Sequence, residues 1–203
     1  MSDRVIELAK AMGRDDVEKQ IAFHCAPVLM GCKCSNIFIT TRKHIAYTRR
    51  LFEGSPVACK LLYTDEKKAI FFIYRPVMMH MLLQDSTIGE FLGAWGYEES
   101  LEKALSRLSS AYGAYLRGKG EFPHEIGLFL GYPVEDVIGF ITNNGKDCLY
   151  SGYWKVYENV AEKKALFQTF DHARELVMRL VSHGVCLRWI TMAYGPAYTF
   201  DVA

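Results

Sequence analysis

A single α+β domain, with a small mixed or antiparallel sheet packed against several helices, is the architecture that this 203-residue sequence predicts. Three observations lead there. Two apolar runs around a polar break, VACKLLY and AIFFIY, read as a β-hairpin, and several other segments repeat apolar residues at helical spacing. No internal repeat, low-complexity tract or linker rich in Pro, Gly or Ser divides residues 1–203. Half of the residues are hydrophobic and 13% aromatic, enough apolar surface for one core without disulfides or structural metals.

Each element follows from its local pattern. Asp15 and Asp16 offer capping oxygens, and Val17, Ile21, Cys25 and Val28 recur at helical spacing, so residues 15–30 predict a first helix with Pro27 near its end. HCAPVLMGCKCSN then turns at Gly31 into a short extended piece at Ile37 to Ile39, and RKHIAYTRR at 42–50 is a local basic cluster. In the hairpin from Val57 to Tyr74 the second run does not alternate, which makes it a strand buried on both faces. After Pro76 a Met-rich helical stretch (Met78, Met79, Met81) precedes a short helix at Thr87 to Leu92. The clearest helix runs from Glu98 to Leu116, with Leu101, Leu105, Leu108, Tyr112 and Tyr115 in one stripe and Gly118 as its stop. Pro123 and Pro133 each open a short helix, HEIGLFLG and VEDVIGFITNNG, the second closed by Gly145. CLYSGYWKVY at 148–157 alternates as a strand, with Tyr153, Lys155 and Tyr157 on one face and Trp154 and Val156 on the other. A long amphipathic helix from Ala161 to His183, ended by Gly184, and a last strand, VCLRWITMAY, complete the chain.

Charge and composition exclude several roles. Lys and Arg number 24 against 23 Asp and Glu, a formal charge of +1, too balanced for the basic footprint of non-specific nucleic-acid binding. The start, MSDRVIELAKAMGRDD, is charged and lacks the apolar region of a secretory signal, so a cytoplasmic protein is expected. The longest apolar run, Ala69 to Tyr74, is far shorter than the roughly 20 residues of a membrane helix. In that compartment Cys25, Cys32, Cys34, Cys59, Cys148 and Cys186 read as free thiols, metal ligands or small buried hydrophobes rather than a disulfide framework.

The stretch from His124 to Tyr157 holds HExGxFLGYP, a DVxGF block and GYWKVY, with HCAP upstream at residues 24–27. This set resembles the signature of a widespread bacterial family of uncharacterised proteins, domain-of-unknown-function family 3793, over most of the chain. The resemblance implies an anaerobic redox or iron-related setting, beside flavodoxin-like proteins. Where that family has a GxKxxN-like stretch, this chain reads Gly31, Cys32, Lys33, Cys34, Ser35 and Asn36, and any site built on Cys32 and Cys34 would be special to this protein.

Chemistry concentrates at a few positions. His124 and Glu125 follow Pro123 at a helix start, where the helix dipole favours a neutral imidazole fit to coordinate or to accept a proton. Gly127 and Gly131 lack Cβ atoms and permit close approach of a ligand or of another backbone, and first-turn N–H groups can hold an anion. A helix cap with small residues for packing is the structural alternative. The segment lacks the second histidine of a zinc protease. Lys155 between Tyr153 and Tyr157 can grip a phosphate or carboxylate, act in proton transfer, or simply lay its stem across tyrosine rings. His24, Cys25, Cys32 and Cys34 form a candidate set for zinc or a soft metal, though without the paired-cysteine spacing of structural zinc sites. Met78, Met79 and Met81 beside His80 suit either a soft-metal site or an adaptable core face.

The leading expectation is a small-ligand or metal/cofactor-binding accessory protein. Its pocket lies between HEIGLFLGYP and GYWKVY, with His124, Glu125 and Lys155 as polar groups and Tyr132 or Trp154 as an apolar wall. A small anionic ligand or a metal-containing cofactor fits, and no cofactor fingerprint in the sequence names one. Two alternatives stand beside it: an enzyme using His124 as general base with Lys155 stabilising an oxyanion or phosphoryl group, and an interaction module docking a flavodoxin-like partner through residues 42–50.

Overall fold

The computed structural model describes residues 16–98 and 100–194, so the charged start and Asp15 lie outside the described residues. The chain is α+β. Its helices are α1 (Val17–Leu29), α2 (Ile45–Phe52), α3 (Pro76–Gln84), α4 (Ser86–Ala94), α5 (Leu101–Leu116), α6 (Ile126–Phe129), α7 (Val134–Thr142), α8 (Val160–Ser182) and α9 (Leu187–Ala193). The strands β1 (Ser35–Thr41), β2 (Ala58–Thr64) and β3 (Lys68–Tyr74) make one antiparallel sheet of order β1-β3-β2, and β4 (Tyr150–Ser151) pairs with β5 (Lys155–Val156). The chain falls into two compact units, one of residues up to Val77 together with those from Gln168 on, the other Met78–Phe167. No helix among the described residues is long and apolar enough to cross a membrane.

In the first unit, Asp16 caps α1 by accepting the Lys19 N–H at 3.0 Å, and the helix buries Ile21, Ala22, Cys25, Ala26, Val28 and Leu29. Pro27 sits inside the last turn of α1. Phe38, Phe71 and Ile73 of the sheet join that core, along with Ala173, Val177 and Met178 of α8. β3 is the central strand, and Ala69 to Ile73 are all buried, as a non-alternating apolar run requires.

The turn after α1 depends on one cation. Gly31 takes a left-handed φ of 77°, which lets the chain reverse against the Arg75 guanidinium. Arg75 is 2% exposed and donates to the carbonyls of Val28, Leu29 and Tyr194 at 2.6, 2.5 and 2.5 Å, satisfying helix-end acceptors that burial would otherwise strand. Lys33 donates to the Ser35 carbonyl at 2.7 Å and to Asn36 Oδ1 at 3.4 Å, while Asn36 Nδ2 donates to the His24 carbonyl at 2.7 Å. Lys33 and Asn36 of the GxKxxN-like stretch therefore latch β1 to the HCAP turn of α1.

Two predicted elements are corrected. The segment predicted as a last strand, VCLRWITMAY, forms helix α9: Leu187, Ile190 and Thr191 are buried at helical spacing, and the Leu187 N–H is anchored on Glu18 Oε1 at 3.1 Å. A seven-residue stretch with both spacings was ambiguous locally, and burial against α1 and α2 selects the helix. The single strand predicted over 148–157 is a tight hairpin, with Tyr150 opposite Val156 and Ser151 opposite Lys155. Gly152 lets it close, because a Cβ there would collide with the Phe167 ring, and its N–H donates to the Trp154 carbonyl at 3.0 Å. Helix α5 starts at Leu101, and its stripe weakens toward the end, with Leu105 and Leu108 buried but Tyr115 exposed.

Lys33 is buried, and desolvation pulls its ammonium down to about 8, against the opposing pull of Cys34 and Cys25. A depressed lysine disfavours the folded state wherever the unfolded chain is protonated; the penalty is full below pH 8 and fades toward pH 10.5. Relative to Lys33→Met, the wild type is therefore expected to gain about 2 kcal/mol of unfolding free energy between pH 7 and 9.5. Urea titrations of both proteins at the two pH values test this, and a pH-independent difference would count against a strained buried charge.

Candidate functional site

The second unit gathers the three downstream motifs. Helix α6 is a single turn, and the N–H groups of Ile126, Gly127 and Leu128 donate to the carbonyls of Pro123, His124 and Glu125 at 3.0 to 3.1 Å. The expectation that a helix dipole and free N–H groups act at His124 is thus corrected: the turn is too short, and those donors are consumed within it. Gly127 is required for packing, since a Cβ there would lie 2.9 Å from Val137 Cγ2 of α7. Tyr132, which follows Gly131, stacks on Trp154 at 4.7 Å between ring centroids.

Asp136 joins α7 to the hairpin. Its carboxylate is 2% exposed and accepts from Trp154 Nε1 at 2.7 Å, from the Tyr157 N–H at 2.7 Å and from the Glu158 N–H at 3.4 Å. Trp154 in turn meets Phe167 edge to face at 4.5 Å. Beside this clamp, buried Lys163 pairs with Glu135 at 2.8 Å, the carboxylate holding the ammonium in its charged form against the cost of burial. Gly139 leaves room for the Tyr157 ring, which a Cβ would approach to 2.5 Å.

Between α6, α7 and the hairpin lies a cavity of about 330 Å³. Phe122, Ile126, Leu130, Tyr132, Val137, Phe140 and Trp154 give it apolar walls, and His124, Ser151 and Lys155 contribute polar groups. His124 sits between two phenyl rings, 5.2 Å from Phe122 and 5.5 Å from Phe140, and its imidazole has no hydrogen-bond or ion-pair partner among the described residues. The Lys155 ammonium lies 5.9 Å from the centre of the same Phe140 ring and donates to the Gly145 carbonyl. That carbonyl is presented by the left-handed turn at Asn144 and Gly145 that ends α7.

The remaining predicted site residues divide. Gly127 and Tyr153 line the cavity, and Tyr153 also packs its ring 5.3 Å from Phe167. Glu125 is 5% exposed and turned away from the cavity, where Oε1 accepts the Tyr97 hydroxyl at 2.8 Å and Oε2 is buried without a partner. Burial and this carboxylate push the Tyr97 phenol well above its ordinary range. Tyr157 and Gly131 lie outside the lining; Tyr157 donates its hydroxyl to the Lys146 carbonyl at 3.0 Å, next in the chain to the Gly145 carbonyl that Lys155 uses. Phe122, Asp136, Phe140 and Ser151 were not singled out from the sequence. Asp136 and Phe140 stand inside the DVxGF block, and an acid in the first turn of a helix reads locally as a favourable dipole contact.

Elsewhere, His24, Cys25, Cys32 and Cys34 do not gather: among the described residues no group of three or more His, Cys, Asp or Glu is placed to hold a metal ion. Cys25 is fully buried, its thiol pushed up to about 12 by desolvation, and burial also raises Cys32 and Cys34 above the ordinary thiol value. In the basic run His44 is buried against the Thr40 hydroxyl at 2.8 Å, while Arg42, Lys43, Arg49 and Arg50 are exposed. Met79 is fully buried and Met81 is 67% exposed, so the methionines do not share one surface beside His80.

Two substitutions test this construction. Asp136→Ala strands the indole N–H and the Tyr157 N–H in a buried setting and is expected to lower the unfolding free energy by about 3 kcal/mol or more. Gly139→Ala removes no polar group yet forces the Tyr157 ring aside, at an expected cost of about 2 kcal/mol. Urea denaturation followed by tryptophan fluorescence reads both, and a neutral result for either would mean that the hairpin is not held by that contact.

The three motifs that build these walls lie within a family model, described as Protein of unknown function (DUF3793), that matches residues 21–191. No curated protein and no solved structure matches the chain. With most of its length matched, the chain belongs to the DUF3793 family.

Proposed function

We propose that the chain is a small-ligand-binding accessory protein and that the cavity between the His124 segment and the 150–157 hairpin is its binding site. The observation that carries this reading is the imidazole of His124, set between Phe122 and Phe140 with no protein partner among the described residues while it lines the cavity. The imidazole is half-buried, so its nitrogens stay available, and a bound molecule can take them up from within the apolar walls. The volume of about 330 Å³ falls at the small end of ligand pockets. A metal-bearing cofactor is less favoured, because no thiolate and no second imidazole accompanies His124 in the lining, and protein-held metal centres draw on several such ligands.

A general base at His124 is the second reading. Binding is preferred over it because neither acid of these motifs is free to orient the ring: Glu125 faces Tyr97, and both oxygens of Asp136 are engaged by N–H donors.

Native mass spectrometry of the full chain, purified without oxygen, tests the binding reading. The wild type is expected to carry a non-covalent species above the 23.1 kDa of the chain, with occupancy reduced severalfold in His124→Ala and Lys155→Ala. The bare chain mass in all three proteins would overturn it.

A further inference from the structure

Resting on the reading of this cavity as a ligand site, we propose that its ligand is a hydrophobic monocarboxylate, a flat apolar body of about ten non-hydrogen atoms whose carboxylate is bound by Lys155 and His124. The size follows from a cavity of about 330 Å³ at the roughly 30 Å³ that a water-sized group occupies. The apolar body follows from the walls, where Phe122, Phe140, Tyr132 and Trp154 present rings.

The charge follows from Lys155. Its ammonium donates to the Gly145 carbonyl and pairs with no carboxylate among the described residues, so two of its N–H donors and its positive charge are left to the cavity. Asp136, the one acid in the lining, already accepts from Trp154 Nε1 and from the Tyr157 N–H, which keeps its oxygens from serving Lys155. An anion brought by the ligand therefore meets a cation without a counter-charge, in surroundings apolar enough to strengthen the attraction. His124, 5.5 Å from the Phe140 ring that Lys155 also approaches, offers an N–H to the second carboxylate oxygen.

The same geometry argues for one negative charge rather than two. Phosphate sites recruit arrays of backbone N–H groups or a guanidinium fork, and here the N–H groups of the α6 turn are spent on the carbonyls of Pro123, His124 and Glu125. A single ammonium with no carboxylate paired to it among the described residues balances a monoanion and leaves a dianion half compensated.

Titration calorimetry with 3-phenylpropionate and its neutral isostere 3-phenylpropionamide tests the assignment on the full-length protein. The acid is expected to bind at least tenfold more tightly than the amide; Lys155→Met should abolish that preference and Lys155→Arg, which keeps the charge, should preserve it. Equal binding of acid and amide by the wild type, or a preference that survives in Lys155→Met, would overturn the proposal. If neither compound binds while the native mass still shows a species lost in His124→Ala, the carboxylate class fails and the cavity reading stands. If neither binds and the native mass is bare, both fail.

Discussion

The carboxylate of Asp136 is the constraint on which the site depends. A buried charge persists only where hydrogen bonds replace the water it has lost, and here the replacements come from the Trp154 indole and from the backbone of Tyr157 and Glu158. Those donors lie on the hairpin side and the acceptor lies on α7, so the same bonds that keep Asp136 buried fix the hairpin's orientation. With Trp154 fixed, Tyr132 has a stacking partner and Phe167 an edge to meet, and two walls of the cavity are set.

The motif glycines serve the same assembly. At Gly127, Gly139 and Gly152 a side chain would strike Val137, Tyr157 and Phe167 respectively, so their role is close approach of the elements rather than access for a ligand. Three consecutive motifs within residues 124–157 thus meet in one packing problem. The chemistry left over is small: an imidazole and an ammonium that both lie beside Phe140 in the cavity lining, each with hydrogen-bonding capacity that the protein does not use up.

In the first unit polar groups are spent on structure. Arg75 closes the end of α1, and the Lys33 and Asn36 latch holds β1 to the HCAP turn. Cys25 is sealed within that core while His24 is exposed, and among the described residues this run of histidine and cysteine letters gathers no metal-binding group. Adjacency in sequence put His24 beside Cys25, but successive helical side chains diverge, so one is exposed and the other buried.

Periodicity by itself determined a good deal: the hairpin with its doubly buried second strand, the capped first helix, and the long helices before Gly118 and Gly184. These depend on burial patterns that repeat within one element. The chemistry of the HEIGLFLGYP and GYWKVY motifs, rather than periodicity, pointed to His124, Lys155, Tyr132 and Trp154, and these four line one cavity. Tertiary structure decided what periodicity leaves degenerate. LRWITMA fits a strand or a helix until its apolar side meets α1 and α2, and SGYWK extends or turns according to whether Phe167 occupies the space above Gly152. The passage between the two compact units left no mark in composition because it occurs inside helices α3 and α8, where no linker is needed. Glu125 and Asp136 are the sharpest case: both are acids in neighbouring motifs, and what each is spent on depends on partners, Tyr97 and Trp154, that lie 28 and 18 residues away along the chain.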